Sequence, residues 1–383
     1  MRLRVPSSSR TTTRELFEGK SGEKTSELVN QVLIAVVFEK PGQIEVTKVD
    51  DPTPGASDAI LKVEACGICG TDLHLLNGDI SSARYPVVPG HEFCGEVVAV
   101  GPGVTNVRVG DFVAVDPNLP DGVCRFCRMG KTNLCENYSA LGVTLDGAAA
   151  EFVRVPSHVA FALPANLPRP WGTLVEPLSC AVHGFDQVGV HLADSYLIYG
   201  AGTMGLMLAQ LARHAGAASV DMVDKNPVRF ELAKRLAADR IADTADQFDR
   251  SDGWDVVIDA TGVVAAIEDG LRRVRRGGTF LVFGVASGEA RAKFSPFDVY
   301  RDEIRIIGSM AVLNSFERAL ALVVRGAINS QAMISHRFGL DDYAKAIDTF
   351  KSGGGLKIQV APSAQPVAQP SLASSASTSP ARN

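Results

Sequence analysis

The chain has 383 residues, 46% of them hydrophobic and 21% charged, with a formal net charge of −5. That length carries more than one core, and the small negative charge excludes the basic face that a nucleic-acid backbone requires. No apolar run approaches the ~20 residues of a bilayer span, so no membrane-spanning segment is expected.

Residues 1–32 are rich in Ser, Thr, Arg, Lys and Glu and lack apolar periodicity. They read as a disordered extension, a mistaken start codon or a weak targeting segment. A secretory h-region is missing, and Glu15, Glu18, Glu23 and Glu27 argue against a mitochondrial transit peptide, which is poor in acids. The seven cysteines are odd in number and do not form the even framework of a small secreted scaffold. They point to a reducing compartment, the cytoplasm, where thiols hold metal.

Leu33–Phe38 is the first strand-like run. From there to about residue 165, short β-type runs are broken by Gly and Pro, among them Ala59–Glu64, Gly95–Val100 and Asp111–Val115. They predict a compact β-rich domain with a closed or barrel-like sheet. Near residue 195 the rhythm changes. Strands are predicted at Ser195–Tyr199, Ser219–Val223, Trp254–Ile258, Thr279–Phe283 and Ile304–Gly308, with helices between them. This alternation predicts a doubly wound parallel sheet. Met333–Val360 reads as a strand–helix–strand segment that returns to the first domain, and the Ser/Ala/Pro/Gln-rich end reads as a disordered tail. The expected division is therefore 33–180 completed by 326–361, then 181–325, flanked by the extension 1–32 and the tail 362–383.

Three segments carry candidate chemistry. In the second domain, Gly200-Ala-Gly202-Thr203-Met204-Gly205 follows a strand and opens a helix. The first glycine makes the tight turn, the second admits a pyrophosphate to the backbone, and the third lets helix and strand pack closely. The helix N-terminus offers free N–H groups to phosphate. Asp224 ends the next strand, where a carboxylate accepts from ribose hydroxyls and repels a 2′-phosphate, so NAD is expected over NADP. Lys225 and Arg229 weaken that preference.

The second segment is a short loop. Cys124, Cys127 and Cys135, with Asp121 three residues ahead, can fold around one tetrahedral ion. The third is a dispersed set: Cys66-Gly-Ile-Cys69-Gly-Thr71-Asp72-Leu-His74, then Gly90-His91-Glu92, then Glu176 ahead of the nucleotide domain. Thiolate, imidazole and carboxylate on separate loops suit a zinc site that keeps a position open for substrate. Thr71 has a hydroxyl that could pass a proton, His74 could carry it to water, and Asp72 could orient a ligand histidine. The alternative for Cys66 and Cys69 is a redox pair, though the βαβ context of such a motif is lacking. Cys94, at the head of the strand Gly95–Val100, and Cys180, in an apolar run, read as small buried residues. His158, His191, His214 and His336 read as surface or core histidines, and His183 stays open because Glu176 is near.

These motifs together resemble the zinc-dependent medium-chain dehydrogenase/reductase superfamily, over about residues 33 to 360. Gly90-His91-Glu92 with Glu176-Pro-Leu is similar to its polyol (sorbitol, arabitol) and threonine dehydrogenase branch. The resemblance implies a two-domain α/β fold, with a GroES-like catalytic domain and a Rossmann domain. It implies that Cys69, directly before Gly-Thr-Asp, is the catalytic zinc ligand and Cys66 is not. His91 would be the second ligand, with Glu92 and Glu176 competing for or exchanging in the remaining positions. Thr71 and His74 match the family's proton relay, and Arg229 matches a basic residue at the adenosine end of the cofactor. The family usually has a fourth cysteine where this chain has Asp121. An Asp-Cys-Cys-Cys structural zinc site is expected, weaker than four thiolates; the alternative is a vacant lobe with three free thiols.

The expected function is oxidation of a secondary hydroxyl, most simply of a polyol, to a ketone with NAD as acceptor, in a dimer or tetramer of the chain. An L-threonine-type amino-alcohol dehydrogenase, a zinc-free reductase and a non-catalytic nucleotide binder are the rivals.

Overall fold

The structure is a computed structural model and describes residues 32–362. The expected extension and tail lie outside the described residues apart from Val32 and Pro362. The chain opens with strands β1 (Val32–Lys40), β2 (Gln43–Asp50) and β3 (Asp58–Ile68), then helix α1 (Gly70–Asn77). Next come β4 (Glu92–Val100), β5 (Phe112–Val115), β6 (Asn118–Leu119), α2 (Arg125–Arg128), β7 (Ser139–Ala140), β8 (Phe152–Pro156), β9 (Ala160–Ala162) and α3 (Val175–Val188). The parallel part follows as β10 (Ser195–Tyr199), α4 (Thr203–His214), β11 (Ser219–Val223), α5 (Phe230–Leu236), β12 (Arg240–Ala242), β13 (Trp254–Asp259), α6 (Val264–Arg272), β14 (Val274–Val282), α7 (Pro296–Arg301), β15 (Arg305–Gly308) and α8 (Phe316–Val324). The described chain ends with α9 (Ser330–Met333), β16 (Ile334–Phe338), α10 (Tyr343–Lys351) and β17 (Lys357–Val360).

One sheet runs β16-β17-β3-β4-β5-β9, with β8 also paired to β3. Among the described residues its end strands β16 and β9 do not pair with each other, so of the two forms expected the sheet is not closed by hydrogen bonds. β17 lies antiparallel to β3, with Ile358 opposite Ile68 and Val360 opposite Cys66. The other sheet is parallel, in the order β12-β11-β10-β13-β14-β15. β10 is buried at all five residues, as a strand covered on both faces must be. The order reverses between β10 and β13, which puts the crevice of a doubly wound fold at their carboxyl ends. β12 is a strand that the sequence did not suggest, because three residues are too few to show a period.

The two sheets meet on α3. Its Val175, Leu178, Ala181 and Val182 share one core with Cys94 and Ala114 of the first sheet, with Tyr196 and Ile198 of the second, and with Leu206 of α4. Burying these side chains fixes the first turn of α3, and with it Glu176, against β4. β4 starts at Glu92, earlier than the predicted Gly95. Cys94 therefore lies inside the strand, fully buried, and burial pushes its thiol pKa up.

Candidate active site

β3 ends at Ile68 and the chain turns directly into α1. Cys69 caps that helix: its Sγ accepts the Thr71 N–H at 3.3 Å, and Asp72 Oδ2 accepts the Cys69 N–H at 2.9 Å. This is a reciprocal capping box with a thiol in place of the usual hydroxyl. It buries Asp72 and faces Cys69 toward the residue that precedes β4. His91 Nε2 lies 3.1 Å from Cys69 Sγ. On the other side of the ring, Nδ1 lies 3.9 Å from Asp72 Oδ1, and both of these buried atoms lack a hydrogen-bond partner.

Potential ligand atoms of Cys69, Asp72 and His91 all fall within 4.8 Å of one another, as do those of His91, Glu92 and Glu176. The expected set Cys69, His91, Glu92, Glu176 thus falls in two overlapping triplets that share His91, not in one cluster. Cys66 stays in β3 opposite Phe93 and Val360, with its Sγ toward the Gly67 carbonyl.

Glu92 is not a free carboxylate. Lys357, only 2% exposed, donates to it from β17 and also reaches the Ile68 carbonyl at 3.5 Å. A Cβ on Gly67 would collide with the Glu92 carboxylate and lie 3.0 Å from Lys357 Cδ, so the glycine admits this pair. Sequence reasoning missed Lys357. The available signal was a lysine inside the apolar run Leu356-Lys-Ile-Gln-Val360.

Cys180 packs against the core around α3, as a small buried residue would, and its thiol also donates to Glu176 Oε1 at 3.4 Å. Its thiol pKa is raised well above the usual value by burial and by the Glu176 carboxylate. Three residues on, His183 Nε2 lies 3.4 Å from Asn133 Nδ2, and that amide donates to the Met310 carbonyl at 2.9 Å. Thr71 and His74 are both on α1, but no hydrogen bond joins them among the described residues. His74 Nδ1 instead meets Asp79 at 3.1 Å, just past the left-handed Gly78 that ends the helix.

Burial raises the Glu176 carboxyl to about 7 and raises Asp72 as well. Burial opposes a charge on His91, but the Cys69 sulfur, Asp72 and Glu176 outweigh it and raise the ring well above its usual pKa. All three groups therefore hold protons more tightly in the folded, metal-free chain than in the unfolded one. Stability from such groups is present below their unfolded pKa values and is lost as pH rises toward the folded ones. Metal-stripped protein is expected to melt at steadily lower temperature as pH rises from the ordinary carboxylate range to about 7, where Glu176 titrates in the fold. Glu176→Gln should flatten part of that slope. A melting temperature that climbs across this window in stripped protein would contradict the electrostatics described here.

The glycine turn follows β10. Gly200 has a φ of +98°, and a Cβ on Gly205 would collide with the Gly200 carbonyl. Gly202 caps α4 without a side-chain hydrogen bond, which leaves the first N–H groups, through Thr203 and Met204, open to an anion. Asp224 follows β11. Its Oδ2 accepts the Ala201 N–H at 2.6 Å and its Oδ1 the Asn226 N–H at 2.7 Å. Arg229 donates to Asp224 at 3.1 Å and to the Gly353 carbonyl at 3.3 Å, so it links the nucleotide fingerprint to the loop after α10.

Ligand atoms of Asp121, Cys124, Cys127 and Cys135 also lie within 4.8 Å of one another. Cys124 caps α2, its Sγ accepts the Cys127 N–H at 3.5 Å, and Cys135 Sγ accepts the Asp121 N–H at 3.3 Å. Both clusters fit zinc. Each joins soft sulfur to harder donors in a small volume. Behind His91, the partnerless Nδ1 and Asp72 Oδ1 form the carboxylate–histidine arrangement that orients a metal-binding ring.

Comparison with known proteins agrees. The alcohol dehydrogenase GroES-like domain family matches residues 55–165, and the zinc-binding dehydrogenase family matches residues 203–325. D-arabinitol dehydrogenase 1 of Uromyces fabae is 39% identical over 86% of this chain and 97% of its own. An L-threonine 3-dehydrogenase of Pseudoalteromonas atlantica is 33% identical over 80% of this chain and 93% of its own. A zinc-binding dehydrogenase of Sinorhizobium meliloti 1021, solved bound to NADP, superposes with a TM-score of 0.84 at 37% identity, covering 87% of this chain and 100% of that one. The chain belongs to the zinc-dependent medium-chain dehydrogenase family.

Proposed function

We propose that the chain oxidises a secondary hydroxyl of a polyol to a ketone, with NAD as hydride acceptor. The observation that carries this is Cys69 Sγ beside His91 Nε2, with Asp72 behind the ring and Glu176 in reach of it. Cys69, His91 and Glu176 would hold the zinc, since Lys357 engages Glu92. A zinc there supplies a Lewis acid that makes an alcohol more acidic, and a bound nicotinamide supplies the hydride acceptor. Asp72 fixes the His91 ring. The Thr71 hydroxyl, on the residue whose N–H bonds Cys69 Sγ, would accept the alcohol proton while releasing its own to a bridging hydroxyl or water on the way to His74. His74, at the exposed edge of α1 with Asp79, hands it to water. The turn Gly200, Gly202, Gly205 with the N–H groups of Thr203 and Met204 receives the pyrophosphate, Asp224 the ribose, and Arg229 the adenosine end.

Asp224 disfavours a 2′-phosphate, although its Arg229 partner offsets part of that charge. The polyol reading rests on the D-arabinitol relative, 39% identical to this chain against 33% for the L-threonine one. A panel of D-arabinitol, sorbitol and L-threonine, each with NAD and with NADP, tests this. Polyol-dependent reduction, faster with NAD, is expected. Turnover of L-threonine alone would move the chain to the amino-alcohol reading, and no reduction with any alcohol would favour a nucleotide binder.

The same reading includes self-association. β15 ends its sheet, with Ile306 40% exposed beside Met310 at 48%, and an unpaired apolar edge of this kind is normally covered. The seven free thiols suit a reducing cytoplasm. No helix among the described residues is long and apolar enough to cross a membrane.

A further inference from the structure

We propose that Asn137 is the positioning residue that lets Asp121 serve as the fourth zinc ligand of the cysteine lobe, so that a carboxylate and an amide together do what one thiolate would do. This rests on the reading of the lobe as a zinc site. A thiolate offers a single donor atom. A carboxylate offers two oxygens on a rotating group, so it must be told which oxygen to present.

The hydrogen bonds of Asp121 make that choice. Oδ1 accepts the Val123 N–H and the Cys124 N–H, both at 2.9 Å. Those two bonds use the two lone pairs of that oxygen. Oδ2 accepts the Asn137 amide at 2.7 Å; the Cys127 thiol also hydrogen-bonds the carboxylate, and once that thiol loses its proton to bind zinc, a lone pair of Oδ2 is left for the metal. Asn137 is therefore bonded to the ligating oxygen itself. It stands two residues past Cys135, so the segment that delivers the last thiol also delivers the amide.

The backbone of Asp121 closes the arrangement from the other side, since its N–H donates to Cys135 Sγ. With the Oδ1 bonds and the Asn137 amide, the carboxylate is held in one rotamer before any ion arrives. Loss of such an outer partner typically weakens metal binding about ten- to a hundredfold.

The test uses the full-length zinc-loaded protein, titrated with a competing chelator while released zinc and Ellman-reactive thiols are followed. Four proteins are compared: wild type, Asn137→Ala, Asp121→Cys, and the double variant. Wild type should hold one zinc for the Cys69 site and one for the lobe. In Asn137→Ala the lobe zinc should leave at about ten- to a hundredfold less chelator, with Cys124, Cys127 and Cys135 becoming reactive in step. The double variant should retain its lobe zinc as firmly as Asp121→Cys, because a thiolate has no second oxygen to orient.

Release from Asn137→Ala at the wild-type chelator concentration would overturn the role of Asn137. So would equal weakening in the double variant, which would mark Asn137 as a general support of the loop. Wild type that carries a single zinc with reactive lobe thiols would instead overturn the lobe as a zinc site.

Discussion

Cys69→Ser is expected to abolish alcohol-dependent NAD reduction, with a loss on the order of a thousandfold or more. Lewis-acid stabilisation is worth several kcal/mol, and each ~1.4 kcal/mol is a factor of ten in rate. The substitution is informative because it should leave the fold alone. Cys69 caps α1 by accepting the Thr71 N–H, and serine is a preferred residue at that position. A hydroxyl can keep the cap but is a much poorer zinc ligand than a thiolate. Cys66→Ala is the matched control. Cys66 is buried in β3, and its loss should cost some stability and little turnover. Steady-state rates, zinc content and circular dichroism on the two variants decide the matter. Full turnover in Cys69→Ser would remove the metal role of that residue, and an equal loss in Cys66→Ala would return the choice between the two cysteines to where spacing left it.

The parts of the site that could be read from the chain are those whose geometry is local. The turn from Gly200 to Gly205 carries its own conformational demand: a positive φ at its first position and a carbonyl that leaves no room for a side chain at its last. The lobe from Asp121 to Cys135 closes within one short loop. Cys66 and Cys69 were ambiguous by spacing, and what separates them is the end of β3 at Ile68, which leaves one thiol in the sheet and starts a helix at the other. β4 was read as starting at Gly95, late by three residues, since Glu92 is charged and looks unlike a buried strand residue. The polar residues at its start face the site and Lys357 instead of water. Lys357 itself lies 265 residues beyond Glu92, and no periodicity links them. The many short strands suggested a closed or barrel-like sheet, and strand count alone does not decide between the two, because it does not determine whether end strands pair. The Thr71–His74 relay was legible as residue types only; the turn of His74 toward Asp79 depends on how α1 ends at Gly78.

Lys357→Ala is expected to be the most destabilising single change near the site, by about 3–5 kcal/mol, the usual result of stranding one partner of a buried ion pair. Both partners are nearly inaccessible, Lys357 at 2% and Glu92 at 2%. Burial works against the ammonium, but Glu92 and the Cys69 sulfur outweigh it and raise its pKa, so the charge that holds Glu92 persists at neutral pH. Without it, Glu92 would face Glu176 and Asp72 with the His91 ring, but no buried ammonium, to offset their charge. The double variant Lys357→Met, Glu92→Gln removes both charges while keeping most of the volume, and it should recover much of the loss, because a buried pair contributes less net stability than breaking it costs. Thermal melts of the single and double variants measure this. The same melts on metal-stripped protein sharpen it. A divalent cation at His91 and Glu176 offsets buried negative charge, so the Lys357→Ala deficit should be larger when the metal is removed. A deficit under about 1 kcal/mol, the range of an exposed ion pair, would mean that Glu92 relaxes to solvent or takes a proton. A double variant no better than the single one would mean that Lys357 acts through packing between β17 and β3, not through its charge.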